Sequence, residues 1–237
     1  MKWKQTSQQK DVVITPEITP VPQEIMDFYK DVTIGADVLF VNGVAMIITV
    51  SRHIHYGTIA PIPNLKSDTL AAKIKVSIAG YKKRGFNVQF LLVDKQFKGL
   101  ISRLKGIVIV NVVSMKEHVP EVEQFIRTAK ERARSTFSMV PYEKMPVRCV
   151  VELMFTVMFY LNAFPWPEGV SQTLSPASIV EGIKLDYNKH FRAIFGEYAL
   201  VYEGTDNTMS ERMTGAIALG PTGNLQGGSR WFSLTTG

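Results

Sequence analysis

The stretch IGADVLFVNGVAMIITV, Ile34 to Val50, holds two β-rich runs on either side of Asn42-Gly43. An Asn-Gly pair between such runs is the strongest short-range hairpin signal, because both residues accept the left-handed backbone that a two-residue turn needs. A third strand is expected in HYGTIAPI, His55 to Ile62, completing an antiparallel meander. Asp37 stands near the start of the first strand among Ala36, Val38, Leu39 and Phe40. A carboxylate in so apolar a run either lies at an exposed strand edge or, if buried, must be paired, hydrogen-bonded or bound to a metal.

Beyond the meander, helical and strand patterns alternate. Ser67 to about Arg84 reads as an amphipathic helix, with Ser67 or Asp68 as its cap and Gly85 as its stop. Leu70, Ile74 and Ile78 form its apolar stripe. Val88 to Val93 is near-continuously apolar, the mark of a central strand buried on both faces, and it ends on Asp94. That carboxylate either caps a short helix over Phe97–Leu104 or belongs to a ligand site at the strand end. A second buried strand is expected over Gly106–Val113. Val147 to Phe164 is an apolar core helix; Arg148 and Glu152 within it, and its length below about 20 residues, argue against a membrane span. Ser175-Pro176 starts a short helix reaching about Gly182, and from His190 onward short apolar runs split by Gly, Asn and Thr predict a small antiparallel module. This is an α/β chain: a mixed sheet covered by helices, then a small β module.

Composition narrows the function. The 237 residues suit one large domain, or one domain and a small module, and a hydrophobic content of 46% supports a sizeable core. The net charge of +6 leans towards an anionic partner. Cys149 is the single cysteine, which excludes a disulfide framework within the chain and any multi-cysteine zinc site, and suits a reducing compartment. The opening MKWKQTSQQK is polar, so no secretion signal is expected, and residues 1–30, with TPEITPVPQE, are expected to be an extended or disordered tail.

Glu117 to Phe137, EHVPEVEQFIRTAKERARSTF, is expected to be a helix entered through Pro120. Val122, Phe125 or Ile126, Ala129, Ala133 and Phe137 recur on a core face, while Glu123, Arg127, Lys130 and Arg134 fall at i, i+4, i+7 and i+11 on one polar stripe. A stripe of this kind is either a solvated face or a carboxylate beside a metal with cations along a polyanion. If the strands of Asp37 and Asp94 are neighbours, their carboxylates can converge and Glu123 can close the triangle. Converging carboxylates repel unless divalent cations bridge them. Mg²⁺ prefers such oxygen ligands, and a pair of ions can serve in-line phosphoryl transfer. His53 and His55 lack a third ligand and read as surface or strand histidines. There is no phosphate-cradling glycine loop and no nucleophile elbow.

These residues, taken in order, resemble the integrase catalytic core of copia-type (Pseudoviridae) LTR retrotransposon polyproteins, in the ribonuclease H-like superfamily. DVLFVNGVAMIITVSRHIHYGTI looks like that family's first Asp strand, hairpin, Ser-Arg corner and third strand. LLVDKQF resembles its Asp-Asn-Gly-x-Glu-Phe segment, with Lys95-Gln96 in place of Asn-Gly. EHVPEVEQFIRTAKERAR is similar to its H-x-P…V-E-R-x-x-R helix, and TLSPASIVEGIKLDYNKHFRAIFGEYALVY and GAIALGPTGNLQGGSRWFSLTTG to the runs that follow.

The resemblance implies a ribonuclease H-like mixed five-stranded sheet over residues 31–165, with a connecting helix and small β module over 166–237. It implies that Asp37, Asp94 and Glu123 are catalytic carboxylates binding Mg²⁺ or Mn²⁺, with Glu121 a rival for the third place. Arg127, Lys130 and Arg134 become a nucleic-acid-binding track. The expected activity is DNA end processing and strand transfer by two-metal phosphoryl transfer, in a working enzyme or a degenerate relic. The alternatives are an inactive nucleic-acid-binding or interaction protein that keeps the fold, and another nuclease of the same fold. DNA and a second copy of the chain are the expected partners, with no membrane. The expected location is the nucleus, or the cytoplasm within a retroelement particle.

Overall fold

The structure, a computed structural model, describes residues 18–113, 120–202, 208–209 and 211–236. Helix α1 (Gln23–Tyr29) leads into strands β1 (Asp31–Val41), β2 (Val44–Ser51) and β3 (Gly57–Pro61). Helix α2 (Ser67–Lys83) crosses to β4 (Asn87–Asp94), and a 3-10 turn (Lys95–Phe97) and α3 (Leu100–Arg103) lead to β5 (Ile109–Val113). Two long helices follow, α4 (Pro120–Met139) and α5 (Val147–Ala163), then the short α6 (Pro176–Val180) and α7 (Tyr187–His190). Strands β6 (Tyr198–Tyr202), β7 (Met213–Pro221) and β8 (Ser229–Ser233) close the chain.

The main sheet has the order β3-β2-β1-β4-β5, and β6-β7-β8 form a separate three-stranded antiparallel sheet. β2 runs antiparallel to both β1 and β3, while β4 is parallel to β1 and to β5. This is the expected arrangement: a mixed five-stranded sheet flanked by helices, followed by a small β module. At the hairpin, Asn42 and Gly43 have φ of 47° and 81°, so both adopt the left-handed backbone that the dipeptide forecast.

Each sheet face buries its own core. Ile34, Ala36 and Leu91 pack with Ile74 and Ile78 of α2 on one side. Leu39, Met46 and Ile48 pack with Val122, Phe125 and Ala129 of α4 and Leu153 and Met154 of α5 on the other. Period-two alternation along β1 produces this split. Each fully buried Leu or Ile side chain contributes about 1.5–3 kcal/mol. Glu152, the charge inside the apolar α5, is ion-paired with Arg230 of β8 at 2.9 Å, which joins the core helix to the second sheet.

Several expectations need correction. The tail ends sooner than residue 30: Gln23–Tyr29 is helical and buries Ile25, and Thr19 N–H donates to Gly182 O at 2.9 Å. Residues 1–17 lie outside the described residues, as does the expected helix start at Glu117. The cap of α2 is not Ser67 or Asp68. Lys66 holds that position without a side-chain bond, and Asn64 Oδ1 accepts from Lys66 N–H at 3.0 Å and from the Thr69 hydroxyl at 2.8 Å. β5 is an edge strand rather than a buried one, with Ile109 62% exposed, and beside it Phe90 of β4 stays 39% exposed. An apolar run there reflects strand propensity more than burial.

At the opposite edge, Asn162 of α5 takes the place of a neighbouring strand. Its amide accepts from Gly57 N–H at 2.8 Å and donates to Gly57 O at 2.7 Å. Asn162→Ala leaves both buried backbone groups without these partners and is expected to cost about 1–3 kcal/mol per group. A fall in the urea midpoint of unfolding checks this; an unchanged midpoint would show that water replaces the amide at no cost.

Candidate functional site

The parallel register between β1 and β4 pairs Gly35 with Leu92. Two residues further along each strand stand Asp37 and Asp94, so the two aspartates lie on adjacent parallel strands at the same level. Asp37 shares its face with Leu39, which packs in the core beneath α4 and α5. Helix α4 is held on that face by Val122, Phe125, Ala129 and Ala133, all buried. Glu123 follows Val122 and is turned away from the core to the exposed side.

The expected stripe then forms one wall. An open depression of 280 Å³ is lined by Asp37, Glu123, Ile126, Arg127, Lys130 and Arg134. Asp94 is exposed and is not part of that wall. It occupies the N-cap position of the 3-10 turn but makes no side-chain cap bond there, so capping does not account for it.

Burial raises the Asp37 carboxyl above its ordinary 3.8, the Val38 N–H bond at 2.7 Å lowers it, Asp94 and Glu123 raise it further, and Lys130 opposes them. Asp94 and Glu123 therefore each stand close enough to act on Asp37, and so does the Lys130 ammonium. Glu121 separates from this set: its Oε2 accepts from Arg52 Nε at 2.8 Å, an exposed ion pair between α4 and the turn after β2.

In kind, three carboxylates suit Mg²⁺ or Mn²⁺, which take oxygen ligands. In placement the fit is incomplete. Among the described residues no three His, Cys, Asp or Glu side chains form a group that could hold a metal ion. His53 and His55, with φ of 65° and 57°, instead pack on aromatic rings, His53 against Tyr29 at 5.6 Å and His55 stacked on Trp166 at 5.2 Å. Cys149 is buried, and desolvation pushes its thiol up, so it is a packing residue and not a nucleophile. A larger cavity of 580 Å³ on another flank of α4, lined by Arg132, Tyr160, Trp166 and Phe191 among others, contains no carboxylate. No helix among the described residues is long and apolar enough to cross a membrane.

Two residues carried no functional signal in the sequence. Arg52 was visible only as part of a Ser-Arg corner, with nothing to connect it to Glu121. Phe40 read as one more apolar strand residue, yet it is 57% exposed. No sequence pattern marks an exposed aromatic within a strand.

No protein-family model matches the chain, and no curated protein matches it. Among solved structures, the catalytic core domain of BIV integrase is similar at 15% identity with a TM-score of 0.44, over 63% of this chain and 93% of that one.

Because the Asp37 pKa is raised on folding, the folded chain holds that proton more tightly than the unfolded chain. The stabilisation this brings is complete below pH 3.8 and is lost as pH rises through the raised value, leaving a cost at neutral pH. Asp37→Asn, whose amide oxygen can still accept from Val38 N–H, is expected to melt higher than wild type at pH 7. The gap should close below about pH 4. Melting curves from pH 3 to pH 8 check this; a lower melting temperature for the variant at pH 7 would contradict it.

Proposed function

We propose that the chain is an integrase-like polynucleotidyl transferase core, acting on DNA ends through Asp37, Asp94 and Glu123. The observation that carries this reading is the meeting of Asp37 and Glu123 in one depression with Arg127, Lys130 and Arg134, on a sheet whose register sets Asp94 beside Asp37. The ordered likeness to copia-type integrases supports it.

Asp37, Asp94 and Glu123 would hold a divalent cation, Mg²⁺ or Mn²⁺, only once drawn closer together than they stand here, and its chemistry would be nucleophile activation and charge stabilisation at phosphorus. The protein's own contribution is placement. Arg127, Lys130 and Arg134, one helical turn apart along α4, hold successive phosphates of a strand and point its end towards the carboxylates. Glu121, drawn off by Arg52, steadies the start of α4 without joining the set. On this reading the chain works on nuclear DNA, or within a retroelement particle in the cytoplasm, as an assembly of several copies.

A second reading is a DNA-binding protein without turnover. Lys130 is its specific support: the ammonium opposes the other charges acting on Asp37, and Lys95 adds another cation next to Asp94. The readings part in a strand-transfer assay on labelled DNA ends with Mg²⁺ or Mn²⁺. The transferase reading expects product from wild type and a loss of at least about a hundredfold in Asp94→Asn, the order expected for removing a group that stabilises the transition state. Product unaffected by that substitution would sink the assigned site. DNA binding without product would favour the second reading.

Binding itself should be electrostatic. Lys130→Gln is expected to weaken DNA affinity for all sequences alike and to reduce the slope of log K against log salt by about 1. An unchanged slope would remove Lys130 from the phosphate track.

A further inference from the structure

Positive charge is spread unevenly along this chain. Lys66–Lys105 carries ten cations against two aspartates, a net charge of +8, while the whole chain nets +6, so the other 197 residues together stand at −2. One of those aspartates, Asp68, is paired with Arg103 at 2.9 Å, and the other, Asp94, belongs to the candidate site. Arg84 is bonded to the carbonyl oxygens of Thr19 and Ile179. Lys66, Lys75, Lys82, Lys83, Lys98 and Lys105 are exposed, and none of them forms an ion pair among the described residues. Glu24 and Asp27 lie on α1, whose Met26 sits beside Gly85, and they too leave these lysines unpaired.

The lysines share one side of the molecule. α2 packs on the sheet face of Ile34 and Leu91, opposite the face that α4 and α5 cover. Asp68, Lys75 and Lys82 recur every seven residues, about two turns, so they lie along one line of α2. The Asp68–Arg103 pair turns that line towards α3, and Lys98 and Lys105 flank α3 at its two ends. Helix physics explains only part of this set. Lys82 and Lys83 in the last turn suit the negative end of the α2 dipole. Lys66 at the N-cap position stands at the positive end, where a cation is unfavourable, and Lys75 is mid-helix. Clustered cations without acids repel one another, and a bound polyanion turns that repulsion into attraction. α2 exposes a single large apolar side chain, Val76, and no aromatic ring, so it lacks the apolar face with which a helix enters a lipid surface.

We propose that this α2–α3 surface is a second site for a nucleic-acid backbone, on the opposite side of the sheet from the Arg127–Lys130–Arg134 track. Lys75, Lys82 and Lys83 hold phosphates, with Lys75 and Lys82 about 10 Å apart along the helix. Lys98 and Lys105 extend the contact across α3. Contacts of this kind position a duplex and carry no sequence preference. The inference rests on the nucleic-acid reading of the chain and deepens it: the chain holds two duplex segments, one on each side of its sheet, and the carboxylates serve only one of them.

The test uses the full chain in EDTA at low salt, with a duplex about one helical turn long, and native mass spectrometry reads the number of duplexes per chain. Wild type is expected to take two. Lys75→Gln, Lys82→Gln and Lys83→Gln combined are expected to leave one, while Lys75→Arg, Lys82→Arg and Lys83→Arg combined keep two. Arg127→Gln, Lys130→Gln and Arg134→Gln combined are also expected to leave one, and all six glutamine changes together none. Two duplexes retained by the α2 glutamine variant, or a single duplex on wild type that this variant leaves unchanged, would overturn the inference and leave the α4 track standing. A single duplex lost from the α2 variant but kept by the α4 variant would support this surface and overturn the α4 track. Wild type that takes no duplex would overturn both, and its binding to phosphatidylserine vesicles instead would assign the lysines to a membrane. The three α2 lysines are exposed, so their variant is expected to melt at the wild-type temperature, which separates a lost duplex from lost folding.

Discussion

Parallel pairing of β1 with β4 is the constraint from which the rest of the molecule follows. It requires a crossover connection, and α2 supplies it, covering one face of the sheet with Ile74 and Ile78. The other face is left for α4 and α5. The same pairing sets Gly35 against Leu92, and therefore Asp37 against Asp94, although those two residues stand 57 positions apart in the chain. A shift of one residue in that ladder would turn Asp94 to the opposite face and leave Asp37 facing α4 alone. Site and fold are thus specified by one set of backbone hydrogen bonds, buried beneath helices on both sides.

The sheet face under α4 shows how charge is accommodated at the rim of a core. Asp37 stands two residues from Leu39, which is 1% exposed, so its carboxylate meets low-dielectric surroundings on one side and Glu123 and Asp94 on the other. Its partners are a backbone N–H and the Lys130 ammonium. An arrangement that costs stability at neutral pH and is not needed for packing is the type of local strain that functional sites carry. The exposed Arg52–Glu121 pair a short distance along the helix is different in kind, since solvent weakens it and its contribution to stability is small.

Much of this was legible in the sequence because the signals were local. Asn42-Gly43 specified its own turn, and the stripes of α2, α4 and α5 specified their buried faces. Asp37 and Asp94 stood out as carboxylates in apolar strands. What could not be read was set by position in the sheet. GIVIVNVV has the composition of a central strand, but only its last five residues pair, and they do so at an edge. Helix α1 was hidden by flanking prolines, and the segment before it is held by long-range bonds, from Thr19 N–H to Gly182 O and from Arg84 to the Thr19 carbonyl oxygen. The Arg52–Glu121 pair joins residues 69 positions apart and is invisible to helical periodicity. Phe40 had no signal because exposure is a property of the assembled sheet.

The Asn162 amide has a consequence for how copies of this chain can meet. Along β3, Thr58 and Ala60 are turned towards β2, so Gly57, Ile59 and Pro61 present the outer side of the strand. Gly57 is occupied by Asn162 through both its backbone groups, and proline has no N–H to offer. Ile59 is left as the single outward donor of that strand. An incoming strand would find one rung where a ladder needs several, so β3 is a closed border of the sheet. Growth of the main sheet by strand addition is thereby blocked at this border, whatever surface a neighbouring molecule meets.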